Sequence, residues 1–89
     1  MPRYFFDLHN DMEAVDQEGR ELPDLKAAQD NALLEARIMI QESVAESGRI
    51  DLTHSVDVRD ETGTVVHSIL FGDAISIVRA GRRAWDRDW

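Results

Sequence analysis

PDLKAAQDNALLEARIMIQESVAESG, residues 23–48, is the stretch that decides the fold. Pro23 stands at its entrance, where a missing N–H costs a helix nothing, and Asp24 offers a side-chain oxygen as N-cap. No β-branched residue occurs before Ile38, and Gly48 supplies the left-handed C-cap, so a helix is predicted from about residue 24 to Ser47. At about 100° per residue, Leu25, Ala28, Ala32, Leu33, Ala36, Met39, Ile40 and Val44 gather on one broad face, the predicted core stripe.

Upstream of the helix, Arg3–His9 alternates, with Tyr4, Phe6 and Leu8 on one face and Arg3, Phe5, Asp7 and His9 on the other. That is the pattern of a half-buried strand. Asn10-Asp11 carries turn chemistry, and Glu13–Asp16 is short enough to return as the hairpin partner. Gln17-Glu18-Gly19 makes a second turn, with Gly19 the residue suited to positive φ.

Downstream come two strand-like runs, Thr53–Arg59 and Thr64–Phe71, joined by Asp60-Glu61-Thr62-Gly63 as a hairpin turn with Gly63 left-handed. In the first, Val56 and Val58 alternate with Ser55, Asp57 and Arg59. In the second, Val65, His67, Ile69 and Phe71 share one face and Val66, Ser68 and Leu70 the other, which predicts a central strand or one covered on both sides. Gly72–Val78 reads equally as a fifth strand or as a short helix capped by Asp73. The order is strand, strand, helix, strand, strand. The predicted fold is therefore α+β, a four-stranded, mainly antiparallel ββαββ sheet with one long helix on one face. Residues 1–78 form the single domain, and residues 79–89 form a basic, Trp-containing tail.

Several of these positions recur together in a known pattern. Met1-Pro-Arg-Tyr-Phe-Phe6, Asp16-x-Glu-Gly19, Glu21-Leu-Pro-Asp-Leu25, the helix opening Ala27-Ala28 with Ala32, Asp60-Glu-x-Gly63 and Phe71-x-Asp-Ala74 are the residues concerned. Over about residues 1–78 the chain resembles DUF6894, a family of short bacterial proteins grouped as a domain of unknown function. His67 departs from it, standing where a hydrophobic residue is usual. The resemblance implies a fold and transfers no activity, cofactor or catalytic residue.

Composition bounds the function classes. With 43% hydrophobic and 31% charged residues the chain is globular rather than disordered. It has no cysteine, which excludes a disulfide framework, a thiolate zinc site and a cysteine nucleophile together. Apolar runs reach only three or four residues, far short of the about 20 a membrane-spanning helix needs. Met1-Pro2-Arg3 leads straight into a strand rather than a charged-then-apolar leader, so a cytoplasmic location is the expectation. The net charge is −8, and residues 1–78 hold 16 acidic groups against six basic, a body of −10. Such a body repels phosphate backbones and anionic membranes, so direct nucleic-acid binding by the body is not expected, nor a membrane partner.

Chemistry-bearing patterns are sparse. His9 lies near Asp7 and Asp11, and a mixed His/carboxylate metal site would need His54 or His67 to join it. No two histidines have a helical ligand spacing, so a structural or solvent-exposed role is expected for each, with His67 partly buried and holding one hydrogen-bond partner. Asp16 with Glu18, and Asp57 with Asp60 and Glu61, do not match a calcium loop and read as solvated turns. Ser43, Ser47, Ser55, Ser68 and Ser76 sit in no nucleophile elbow, and there is no phosphate-binding glycine motif. The expectation is a non-enzyme with no cofactor and no metal.

Two features point instead to contacts. Opposite the core stripe, Ala27, Leu34, Ile38 and Ala45 form a second, narrower apolar line, suited to another helix, most simply that of a second copy in a homodimer. The tail mixes Arg82 and Arg83 with Trp85 and Trp89, a composition that grips a partner's acidic surface or, with lower weight, nucleic acid. The sequence thus reads as a small non-catalytic interaction module that self-associates, as a homodimer through the outer helix face or a sheet edge. Two alternatives stand beside it: an acidic binder or mask of a basic DNA-binding protein, and a small-molecule or metal-binding protein built on His9, His54 or His67.

Overall fold

The computed structural model describes residues 1–78. Along the chain run β1 (Arg3–His9), β2 (Arg20–Glu21), α1 (Leu25–Ser47), β3 (Ser55–Arg59), β4 (Val65–Leu70) and α2 (Phe71–Ala74). The strands form one sheet in the order β2-β1-β3-β4, every neighbouring pair antiparallel. The fold is α+β, in ββαββ order with α1 lying across one face.

Both ends of α1 follow from local chemistry. The Asp24 carboxylate accepts the Ala27 N–H at 2.9 Å, and Gly48, at φ 72°, donates its own N–H to the Val44 carbonyl. Ala28, Ala32 and Ala36 are fully buried and Ile40 nearly so, so the helix rests on the sheet along a seam of small side chains. Val56 and Val58 fill the sheet side of that seam, with Tyr4, Phe71 and Ala74 completing the core. The predicted stripe is too long at both ends: Leu25 and Val44 are exposed, while Leu33 and Met39 are only partly buried. A helix of 23 residues spans about 35 Å, and a sheet of short strands does not reach that far.

The partner of β1 differs from the predicted Glu13–Asp16. Backbone pairing is made by Arg20 with Tyr4 and by Glu21 with Arg3, while Ala14 contributes only an isolated bridge to Leu8. Between them Asp16 replaces backbone with side chain: its Oδ2 accepts the Phe6 N–H at 3.1 Å. Its Oδ1 accepts the N–H groups of Glu18 and Gly19, so residues 15–19 loop outward. Gly19, at φ 70°, turns the chain back into β2.

β4 also departs from the alternation. A bulge at Val58/Arg59 sets His67 opposite Val58 but Val65 opposite Arg59, leaving Val66 as the extra residue. Val66 therefore packs against the core and Val65 is exposed, the reverse of the predicted faces. β4 is an edge strand rather than a central one, and β1 and β3 are the central pair. Gly63, at φ 87°, closes the β3–β4 turn as predicted.

After β4 the chain takes the helical alternative. α2 is a single turn whose N-cap is Leu70, with Asp73 inside the first turn rather than capping it. Phe71 and Ala74 close one end of the core, and Arg37 Nε donates to the Ala74 carbonyl at 2.8 Å. The tail residues Arg82, Arg83, Trp85 and Trp89 lie outside the described residues.

Candidate functional site

The densest polar network lies on the sheet face opposite α1. Antiparallel register places Phe5 opposite Arg59, Asp7 opposite Asp57 and His9 opposite Ser55 there. Two carboxylates facing each other across strands repel, and each is engaged by a different partner, Arg59 for Asp7 and His9 for Asp57.

Asp7 is 7% exposed although its strand position faces outward, because the segment after β1 folds over it. Arg59 grips it with Nε to Oδ2 at 2.6 Å and Nη2 to Oδ1 at 3.2 Å. The same Nη2 donates to the Asp16 carbonyl at 3.1 Å, and the guanidinium sits 5.0 Å from the centre of the Phe5 ring. The Asp16 N–H completes the set by donating to Asp7 Oδ1 at 2.9 Å. Burial pushes the Asp7 carboxyl up, but the Arg59 hydrogen bonds, the Asp16 N–H and the Arg59 charge outweigh it and hold it below its ordinary value. Asp16 is likewise held low: burial raises it, and the N–H groups of Gly19, Phe6 and Glu18 more than offset that. Asp16 is thus no solvated turn residue but the clasp that fixes the loop to β1.

Asp57 is served by His9, whose Nε2 lies 3.0 Å from Oδ2, and by Ser68, whose hydroxyl donates to Oδ1 at 2.5 Å. His9 Nδ1 meets Glu13 Oε1 at 3.2 Å. The Glu13 hydrogen bond raises the His9 pKa above its ordinary value against the effect of partial burial, and Asp57 adds to the rise. Serine, aspartate and histidine are therefore all present, but in the order Ser68–Asp57–His9. A hydroxyl nucleophile needs the imidazole itself within hydrogen-bond reach to take its proton, with the carboxylate behind. Here the carboxylate of Asp57 stands between the Ser68 hydroxyl and the His9 ring.

The three histidines do not converge. His9 points to the outer face, and His67 lies opposite Val58 on the helix side of the sheet. The predicted hydrogen-bond partner of the His67 ring is not found among the described residues. His54 sits at the sheet's end, 3.3 Å from Asp51 and 3.6 Å from Asp11, edge-on to the Phe71 ring. Among the described residues no group of three or more His, Asp or Glu side chains is arranged to hold a metal ion.

Grooves open on the helix side, two of them with apolar floors among the described residues. One of about 490 Å³ lies between the 14–20 segment and α1, floored by Phe6, Leu8, Met39 and Val56. A second of about 330 Å³ lies near His54 and Phe71, floored by Met39, Ile40 and Ile50, with Asp11, Glu42, Glu46 and Asp51 around it. The candidate line on the back of α1 is open where its large residues stand: Leu34 is 56% and Ile38 42% exposed, and Ala45 is exposed too. Ala27 is only half-buried, so it marks the border of that line.

With β1, the Asp16–Gly19 clasp, α1 and the β3–β4 hairpin in place, the likeness to known proteins can be placed on the structure. The model of a family described as a domain of unknown function, DUF6894, matches residues 3–72. The chain belongs to DUF6894. The match runs from the first residue of β1 into the opening turn of α2, so the Asp7–Arg59–Asp16 network lies wholly within the DUF6894 region. No curated protein and no solved structure is detectably similar to this DUF6894 chain. No helix among its described residues is long and apolar enough to cross a membrane.

The network escapes a reading of the sequence because its two halves are distant, with Arg59 lying 52 residues from Asp7. One signal was available. Phe5 falls on the supposedly solvated face of β1 beside Asp7, and an aromatic residue there implies that something covers it.

Proposed function

We propose that this domain is a non-catalytic protein-interaction module that self-associates in the cytoplasm. The observation that carries the reading is the exposure of Leu34 and Ile38 on the back of α1, on a surface otherwise rich in carboxylates. No second helix of the described chain is long enough to cover them, since α2 is four residues long. An apolar surface that the described residues leave open is one that association can bury. The polar network supports the non-catalytic part, because its carboxylates and guanidinium are spent on one another.

Leu34 and Ile38 alone offer on the order of 200 Å², well under the about 800 Å² per partner of a stable interface. The helix line is therefore at most part of what a second copy would touch. Native mass spectrometry of the full chain tests the reading directly: a multiple of the 10.1 kDa chain mass is expected. A single chain mass at every concentration would refute it. Ile38→Glu then separates a contact on the helix, which it breaks, from one made elsewhere.

A second reading rests on the groove beside His54, whose apolar floor and four surrounding carboxylates suit a basic, partly apolar segment of a partner. A complex of that kind should dissociate in 0.5 M salt, where screening falls to roughly 4–5 Å. Retention of the partner there would count against it.

A further inference from the structure

The sheet has two edges, and the chain treats them differently. At one edge β2 is two residues long, both charged (Arg20 and Glu21), with Pro23 just beyond. Shortness, charge and proline are the devices that keep an edge from pairing with another chain. At the other edge β4 runs for six residues, Val65–Leu70, with no Lys, Arg, Asp, Glu or Pro. It lies within residues 62–72, the longest stretch of the sequence free of formal charge. Among the described residues its one protection is the bulge at its start, which leaves His67–Leu70 regular.

That edge has backbone groups to offer. Phe71 donates its N–H to the His54 carbonyl on the β3 side. By the alternation of an antiparallel ladder, the N–H groups of Leu70 and Ser68 then point away from β3, off the sheet. Val65 and Leu70 stand exposed at the two ends of the strand, 53% and 47% respectively.

We infer that β4 is a pairing edge for a second copy of this chain. Two β4 strands run antiparallel across a twofold axis, the N–H and C=O groups of Ser68 and the N–H of Leu70 in each facing the other, and the two four-stranded sheets become one. Charge selects the second copy as the occupant. A body of −10 repels its own copy on most approaches, and strands with like charges directly opposed are destabilised. Two uncharged β4 strands meet without placing carboxylates opposite one another. An antiparallel pairing of a strand with itself is also isologous, so it closes at the dimer. The inference rests on the self-association reading and puts the axis at the sheet edge, away from the Leu34–Ile38 line.

The full chain and three variants test it by native mass spectrometry and light scattering, with far-UV circular dichroism as the check on folding. Leu70→Pro removes an N–H that β3 does not use, and the native φ of −78° suits the proline ring. Val65→Glu puts a carboxylate at an exposed site on the edge, and Ile38→Glu marks the helix line. Wild type is expected at twice the chain mass. Leu70→Pro and Val65→Glu are expected at the chain mass with unchanged helix content, their dissociation constants raised at least about tenfold, while Ile38→Glu stays dimeric. Amide exchange at Ser68 is expected to be slow in wild type and fast in Val65→Glu. Should Leu70→Pro fail to fold, Val65→Glu carries the test alone. Folded edge variants that remain dimers overturn the inference. Loss of the dimer only in Ile38→Glu also overturns it and leaves self-association standing on the helix. A wild-type monomer defeats both, and a different protein held at β4 defeats the choice of occupant.

Discussion

Replacing Asp7 by alanine removes the centre of the outer-face network, and its cost can be worked from the geometry. The carboxylate accepts Arg59 Nε at 2.6 Å, Arg59 Nη2 at 3.2 Å and the Asp16 N–H at 2.9 Å. Removing one partner of a buried ion pair costs about 3–5 kcal/mol, and a hydrogen bond to a charged group contributes about 1.5–3 kcal/mol. Arg59 keeps its bond to the Asp16 carbonyl and its side chain is 24% exposed, so water recovers part of the loss. A destabilisation of about 2–4 kcal/mol is expected, a large fraction of the about 5–15 kcal/mol that holds a domain together. Urea melts at pH 7 read it as a lowered midpoint with little change in slope. The pH dependence has a definite sign. The folded pKa of Asp7 lies below its ordinary 3.8, so its contribution is fully present above that value and lost as the pH falls through the folded value. Asp7→Ala should flatten that acid limb. Arg59→Ala should cost a similar amount, and the double variant should cost less than the sum because the two residues act as a unit. An Asp7→Ala midpoint within about 0.5 kcal/mol of wild type, or strict additivity of the pair, would refute the assignment.

Three further perturbations probe other parts of the argument. At Gly19 (φ 70°) an added Cβ would meet the Tyr4 carbonyl at 2.8 Å, whereas at Gly63 (φ 87°) it would meet nothing within 4 Å. Gly63→Ala should therefore cost only the left-handed penalty of about 1–2 kcal/mol, Gly19→Ala clearly more, and equal urea midpoints would show that the clasp yields freely. Ala32 is fully buried in the helix seam, so Ala32→Leu should destabilise by about 1–3 kcal/mol or more through overpacking, and an unchanged melting temperature would contradict the close helix–sheet approach. His9 has a folded pKa above 6.5, raised first by Glu13. Its stabilisation is full below about pH 6.5 and lost as the pH rises through the folded value, and an NMR titration of its ring placing the pKa at or below 6.5 would rule out the Glu13–His9–Asp57 clasp.

How much of this was legible in the sequence depends on the range of the contacts involved. The limits of α1 could be read because Asp24 and Gly48 act within a few residues of themselves. The faces of β1 could be read because alternation is local, and the register with β3 agrees with them. Asp16 could not, because a side chain standing in for a strand's backbone leaves no periodic trace. The β4 bulge was hidden for a similar reason: one extra residue, Val66, inverts the face of Val65, and the run of apolar residues on both sides masks the slip. Leu25 and Val44 carry the right helical phase but overhang the sheet, and phase says nothing of how wide the sheet is. The candidate surface residues fared in proportion: Leu34, Ile38 and Ala45 are exposed as their phase requires, while the burial of Asp7 depends on a loop folding back across the face.

The apolar surface this domain leaves open follows from its small alanines rather than from accident. Ala28, Ala32 and Ala36 let α1 sit close to the sheet over β3 and β4, where Val56 and Val58 meet it. A helix held that closely covers a narrow strip, so Phe6 and Leu8 on β1 are only partly buried and a groove stays open between them and Met39. Bulkier seam residues would raise the helix and spread its cover over β1, at the expense of the close packing over β3. Among the described residues the same economy of elements leaves nothing to cover the back of α1 or the far edge of β4. Polar groups face the other way: on the outer sheet face Asp7, Asp16, Asp57, Arg59 and His9 are each engaged by a neighbour. Engaged polar side chains thus lie on one face of the sheet, and the open apolar ones lie on the groove, the back of α1 and the edge of β4.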